Sequence, residues 1–200
     1  MRNQKILWML RVDKENVYGT MHQRMTEVLS CFGFPPRFIL FVKKLYEDIF
    51  AQIITGRGLS QFFQILAGAI QGDPLSCLLF VICNSELMIH ALLASGQGYC
   101  SHTLPTTGII PITAYCDDDD IYASDFDDLV KMFNIYKPII DWLLNRICGN
   151  KCEILLICPT KKHKELLQKV FTIDNHVVKI VSHHQDSKAL GFPISSWLLS

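Results

Sequence analysis

The sequence predicts an α+β fold, in which an antiparallel sheet is covered on one face by helices. Stretches of strand length and helical length alternate in the order strand, helices, hairpin, helix, acidic hairpin, helix, strand. Half of the 200 residues are apolar and only 19% are charged. That balance suits a folded domain with one hydrophobic core and excludes a disordered chain. The run Asp117-Asp118-Asp119-Asp120 lies between the strand-formers Ile112, Ala114 and Tyr115 and the strand-formers Ile121 and Tyr122. Its four carboxylates are expected at the tight, exposed tip of a β-hairpin.

Taken in order, Ile6–Val12 reads as a mostly buried strand that ends at Asp13. Met21, Met25, Val28, Leu29 and Phe32 recur at helical spacing, and Gly33 stops that helix. Pro35-Pro36 opens a second helix whose Phe38, Ile39, Phe41, Val42, Leu45 and Tyr46 form a core face. Residues 51–55 and 60–66 are expected to pair about the turn Gly56-Arg57-Gly58. The loop Gly68–Ser76 then feeds a long apolar helix. Gly72 permits close backbone approach, and the helix start offers unpaired N–H groups, so the loop reads equally as a plain cap or as a phosphate-binding turn.

Residues 95–108 are turn-rich and expected to be exposed. After the acidic hairpin, Ser124-Asp125 caps a helix predicted from Phe126 to about Ile147 and ended by Cys148-Gly149-Asn150. Glu153–Ile157 reads as a strand, Lys161–Val170 as a basic amphipathic helix, and 171–173 with 177–181 as a hairpin about Asp174-Asn175. Lys188–Phe192 reads as a last short strand. Residues 1–193 are read as one domain and 194–200 as a tail.

Formal net charge is zero and the isoelectric point lies near 7, which counts against a strongly basic nucleic-acid binder. Bases do pool at 161–164, and acids at 117–120 and 125–128. The eight cysteines are scattered through apolar runs, as at Cys77 and Cys83, and read as buried free thiols in a reducing compartment. Cys148, Cys152, Cys158 and His163 lack the paired spacing of a zinc site. No signal peptide is apparent, because the apolar run after Lys5 is too short. Leu75–Leu93 could span a bilayer by length, but Asn84 and Glu86 near its middle favour a buried core helix. The location expected is intracellular, nuclear or cytoplasmic.

Four adjacent carboxylates repel one another unless a cation is present. Hard divalent cations take oxygen ligands, and Mg²⁺ needs only one or two protein carboxylates beside substrate phosphates. A solvated acidic turn would need no ligand. On an antiparallel sheet, the end of the first strand and the tip of the acidic hairpin can lie side by side, with Asp13 facing Asp117 across a metal.

These motifs, in this order, resemble the palm of a reverse transcriptase, in the version found in LINE-type (non-LTR) retrotransposons. Asp13-Lys14-Glu15-Asn16-Val17-Tyr18 resembles the first acidic motif, Gln71-Gly72-Asp73-Pro74-Leu75-Ser76 the QG-x-PLS motif, and Tyr115-Cys116-Asp117-Asp118 the Tyr-x-Asp-Asp box. Gly33-Phe34-Pro35 and Leu45-Tyr46 fall where LINE enzymes carry similar signatures. Asn150-Lys151-Cys152-Glu153-Ile154-Leu155 resembles the later lysine motif, and Leu190-Gly191 the last palm strand.

The resemblance implies an RNA-directed DNA polymerase, a nucleotidyltransferase acting on an RNA template, a DNA primer and dNTP. Two Mg²⁺ ions would be held by Asp13 and Asp117 with Asp118 assisting. Tyr18 would lie against the nucleotide sugar. Gln71, Gly72, Pro74 and Ser76 would contact nucleotide and template. Lys151 would stand near the triphosphate as a proton donor; without the resemblance it reads as an exposed lysine after a glycine turn.

The sequence departs from the family in several places. Twelve residues precede Asp13, too few for fingers, and no thumb follows Phe192. Gly19 stands where LINE enzymes repeat an aspartate, Asn16 where they carry lysine, and Ile70 where arginine precedes Gln71. Asp119 and Asp120 occupy positions that are apolar in the family. One of them should point inward, as a buried carboxylate that must be paired or protonated. The expectation is a truncated palm, weak or inactive by itself. The alternatives are a non-catalytic remnant that binds nucleic acid or a protein partner, and a structural domain whose acidic turn merely binds divalent cations.

Overall fold

The computed structural model describes residues 6–15, 19, 24–70, 72–100, 108–115, 117–157, 163–182, 187–189 and 192–194. In chain order the elements are β1 (Leu7–Glu15), α1 (Met25–Cys31), α2 (Pro36–Tyr46), β2 (Phe50–Ala51), β3 (Ile54–Thr55), β4 (Gly58–Leu59) and β5 (Phe63–Gln64). A long helix follows as α3 (Pro74–Phe80), a π-helical turn (Val81–Glu86) and α4 (Leu87–Ala94). Then come β6 (Tyr99–Cys100), β7 (Ile109–Ile110), β8 (Ile112–Tyr115), β9 (Asp118–Ala123), α5 (Phe126–Trp142), β10 (Arg146–Ile147) and β11 (Glu153–Ile157). The chain finishes with α6 (His163–Leu166), β12 (Thr172–Ile173), β13 (His176–Val177), β14 (Lys179–Ser182), β15 (Ser187–Ala189) and β16 (Phe192–Ile194).

The main sheet has six strands in the order β14-β11-β1-β9-β8, with β10 also pairing β1. Every pair in it is antiparallel except β11 with β14. The α+β class is as predicted. Strand alternation sends Trp8, Leu10, Val12, Ile121 and Ala123 to one face, where all are buried. Leu129, Met132, Phe133, Tyr136 and Ile140 of α5 complete this core with Met25, Val28 and Leu29 of α1 and Leu79, Phe80, Met88 and Leu92 of the long helix. Arg11, Asp13, Asp118 and Asp120 share the opposite face by the same alternation.

Local chemistry explains most boundaries. Gly33 takes φ +73° and closes α1 with Gly33 N–H to the Ser30 carbonyl and Phe34 N–H to the Leu29 carbonyl, each at 3.0 Å. Asp73 caps α3 by accepting from Leu75 N–H at 3.2 Å, and Asp125 caps α5 by accepting from Asp128 N–H at 2.8 Å. Asp174 and Asn175 both have positive φ, as a two-residue hairpin turn of type I′ requires.

Several expectations are corrected. β1 runs two residues past Asp13, because Lys14 and Glu15 pair with Ile147 and Arg146. For the same reason α5 stops at Trp142 and not near Ile147: Leu144 turns the chain at φ +61°, and Arg146-Ile147 leave the helix to join the sheet. Of the helix predicted over 161–170, residues 161 and 162 lie outside the described residues, and the described part is a single turn, His163–Leu166. The last strand is a hairpin, β15 with β16, in which Ile194 pairs with Ser187. β6 and β7 form an unpredicted hairpin, where a Cβ on Gly98 would lie 2.8 Å from Ile109 Cγ2 and 2.9 Å from the Ile110 carbonyl.

The outward face of α2 is not core. Val42 and Tyr46 are buried, but Leu40, Phe41 and Leu45 are exposed. The β2–β5 hairpin also exposes apolar side chains, with Ile54 85% and Phe62 71% exposed. Cys77 is exposed where burial was expected, since helical periodicity places it on the side of the exposed Leu78 and Val81, opposite the buried Leu79. Cys83 is buried, and its thiol is pushed up to about 12 by that burial. Among the described residues Cys31, Cys77, Cys83, Cys148 and Cys152 are free thiols.

Among the described residues one helix, Pro74–Ala94, is long and apolar enough to cross a membrane. It nonetheless packs against the sheet, and its Asn84 is buried, accepting from Asn145 Nδ2 at 2.8 Å.

Candidate functional site

The site is built on β1 and β9. Their register sets Asp13 opposite Asp118, Val12 opposite Asp119 and Arg11 opposite Asp120. β8 and β9 close tightly, since Tyr115 pairs with Asp118 and leaves only residues 116 and 117 for the turn. The four acids therefore do not share a hairpin tip. Asp117 alone lies in the described part of the turn, whereas Asp118, Asp119 and Asp120 are strand residues with alternating faces. Cys116, Tyr18 and Gln71 lie outside the described residues.

On the open face, Asp13 and Asp118 stand side by side with Asp117 at the turn. Burial first, and then the negative charges of Asp117, Asp13 and Asp120, push the Asp118 carboxyl above the usual carboxylate range. Lys151 reaches this group from the segment before β11, placing Nζ 3.5 Å from Asp13 Oδ1. The Asp13 charge holds the Lys151 ammonium above its ordinary value. The main chain fixes that approach, because Cys148 N–H donates to the Asp13 carbonyl and Lys151 N–H to the Cys148 carbonyl, both at 2.9 Å.

Asp119, on the core face, and Asp120, on the open face, are both neutralised from β1. Arg11 Nε donates to Asp120 Oδ1 at 3.1 Å. Asp119 is fully buried, where Lys14 Nζ and the Tyr136 hydroxyl each donate to its Oδ2 at 2.7 Å. The inward-pointing carboxylate expected from the sequence is thus present and paired. Asp119 Oδ1 is buried with no hydrogen-bond partner among the described residues. Burial and the Asp119 charge raise the Tyr136 hydroxyl well above its ordinary value, so it stays a donor. Sequence reasoning missed Lys14 and Tyr136. The available signal was the strict alternation of β1, which puts Lys14 on the same side as Val12 and Leu10.

The other predicted contacts cluster at the start of α3. Gly72 takes φ +92° and is exposed, with open space where a Cβ would project. Pro74 is exposed at the first helical position. Ser76 is 1% exposed; its hydroxyl donates to Asp73 Oδ2 at 3.2 Å and meets the buried Tyr46 hydroxyl at 2.7 Å. That hydroxyl is engaged inside the protein and ties the helix start to α2.

No protein-family model matches this chain, and no curated protein sequence matches it. Solved structures do. Telomerase from Candida tropicalis, in complex with the TWJ fragment of telomeric RNA, superimposes with TM-score 0.59 at 13% identity, covering 78% of this chain and 27% of that one. Apo telomerase from the same organism, truncated from its C-terminal domain, gives 0.58 at 14% identity, covering 76% and 31%. The fold is reverse-transcriptase-like. This chain spans less than a third of either telomerase chain.

Within the reverse-transcriptase-like fold, the donor chemistry of the open face suits a hard cation. The available ligands are carboxylate oxygens, and Mg²⁺ needs only one or two of them. Burial raises Asp118 most, and the mutual repulsion that adds to it is what a bound cation would relieve. Among the described residues no three His, Cys, Asp or Glu side chains already converge on one metal position.

Proposed function

We propose that this chain is the palm portion of a LINE-type reverse transcriptase and that its open carboxylate face is a two-Mg²⁺ nucleotidyl-transfer site. The observation that carries the reading is the register of β1 against β9, which sets Asp13 beside Asp118 one residue after the turn holding Asp117. Asp13, Asp117 and Asp118 would hold the ions. Bound Mg²⁺ would make the primer 3′-hydroxyl a better nucleophile and neutralise charge on the departing pyrophosphate.

The chain's own residues supply position and charge. Asp13 and Asp118 present oxygen donors from two strands whose register is fixed by the main chain. Lys151, charged and within reach of Asp13, would carry a proton toward the leaving group. Gly72 would let a template or nucleotide approach the backbone closely. Tyr18 would lie against the sugar of the incoming dNTP, and Gln71 beside the nucleotide.

The test is primer extension by the purified chain on an RNA template with Mg²⁺, beside Asp13→Ala and Asp117→Ala. Weak extension, lost in both variants, is the result expected of a working site. Extension that persists in both variants would defeat the proposal.

A second reading is a non-catalytic remnant that docks on a protein partner. It is favoured by the exposed apolar surface of Phe41, Ile54 and Phe62. RNA or protein binding that needs no divalent cation and survives Asp117→Ala would support it.

A further inference from the structure

Lys14 grips the acidic hairpin at two points. Its backbone N–H donates to the Asp117 carbonyl at 3.3 Å, and its ammonium donates to Asp119 Oδ2 at 2.7 Å. The two side chains are 0% and 1% exposed. The Tyr136 hydroxyl donates to the same oxygen, so α5 joins the contact from the core. The two points bracket Asp118, and the residue before Lys14 is Asp13.

The apolar residues of this strand pair do not by themselves fix such an arrangement. A slip of β9 by two residues keeps side-chain parity, and Leu10, Val12 and Ile121 would still face the core. A buried ion pair does not tolerate that slip, because the displaced ammonium and carboxylate would each lie unpaired in the interior.

We propose that Lys14, with Asp119 and Tyr136, is a positioning device that fixes the register of Asp13 against Asp118 and hence the spacing of the carboxylates on the open face. Its functional consequence rests on the cation reading given above; the register itself does not.

The test uses the full chain, the double variant Lys14→Met/Asp119→Leu, and Tyr136→Phe. Two quantities are read, amide hydrogen exchange at position 14 and Mn²⁺ affinity by electron paramagnetic resonance of the free ion. The double variant should fold, since apolar residues can replace a buried ion pair. Its amide at position 14 should exchange at least about tenfold faster relative to those at positions 10 and 121, and its Mn²⁺ Kd should rise about tenfold, as when groups supporting metal ligands are removed. Tyr136→Phe should move both quantities the same way by about two- to threefold.

A folded double variant with unchanged protection and unchanged Kd overturns the proposal. If the double variant does not fold, Tyr136→Phe decides by the same criteria. If the wild-type chain takes up no Mn²⁺, the cation reading falls, while the exchange measurement still decides the register.

Discussion

Lys151 and Asp13 meet at the mouth of the carboxylate cluster, Nζ to Oδ1 at 3.5 Å, from segments 138 residues apart. The pair is partly solvated, so it contributes little to stability. It does put a positive charge where a cation would bind. Lys151→Met should leave the melting temperature unchanged and tighten Mn²⁺ binding by about two- to fivefold at low salt, because an ammonium no longer competes for Asp13. Titration of Mn²⁺ into both proteins at two ionic strengths checks this, with the difference shrinking as salt rises.

Asp118 gives the site a pH dependence. Its folded carboxyl lies above the ordinary range through burial and through the charges of Asp117, Asp13 and Asp120. The native state therefore holds that proton more tightly than the unfolded chain does. Its contribution to stability is highest at low pH and declines as pH rises from about 4 through the raised value. Asp118→Asn should flatten that decline in urea midpoints measured across pH 4 to 7. At neutral pH, added Mg²⁺ should raise the melting temperature of the wild-type chain more than that of the variant.

Leu144 occupies a left-handed conformation, φ +61°, in the position after the α5 cap where glycine is preferred. Asn145 N–H closes the motif on the Ile140 carbonyl at 3.0 Å. The left-handed residue costs about 1–2 kcal/mol, part of which is offset by the greater freedom of glycine in the unfolded chain. Leu144→Gly should stabilise the protein by about 0.5–1 kcal/mol in a denaturant titration.

Ser76 separates structure from substrate contact. Its hydroxyl lies between Asp73 and Tyr46 in the interior. Ser76→Ala should cost about 1–2 kcal/mol, because the Tyr46 hydroxyl is left buried with one partner fewer. Nucleotide affinity should not change. A loss of dNTP binding without a loss of stability would give Ser76 the contact role its motif implies.

The parts of this fold that were legible from sequence follow local rules. The Gly33 stop, the Asp125 cap and the Asp174-Asn175 turn each depend on a few neighbouring residues, and each lies where it was expected. What was illegible depends on partners distant in the chain. The run 117–120 reads as one exposed tip, with an inward carboxylate at 119 or 120 but no partner for it in the local pattern, because the offsets Arg11 and Lys14 come from a strand about a hundred residues earlier. The end of α5 was misplaced because Arg146 and Ile147 are claimed by β1, a tertiary demand that overrides helical pattern. The sequence sets Asp13 facing Asp117 on the adjacent strand; the register sets it opposite Asp118 instead, because the turn between β8 and β9 takes up Asp117.

The π-helical turn at Val81–Glu86 has a geometric consequence. Ser76, Phe80, Asn84, Met88 and Leu92 are all buried, at a constant spacing of four. In a regular α-helix each step of four overshoots a full turn by about 40°, so the row would wind about 160° around the cylinder before reaching Leu92. The wider π turn takes up most of this excess, about 100°, and keeps both halves of the helix in phase with the sheet. Were the same residues to run through as ordinary α-helix, everything beyond the turn would rotate by about 100°. Met88 and Leu92 would swing toward water, and Asn84 would be carried away from Asn145. The molecule thus holds one surplus residue as a phase corrector, and a chain lacking Ile82 should keep α4 seated, with the π turn replaced by ordinary α-helix.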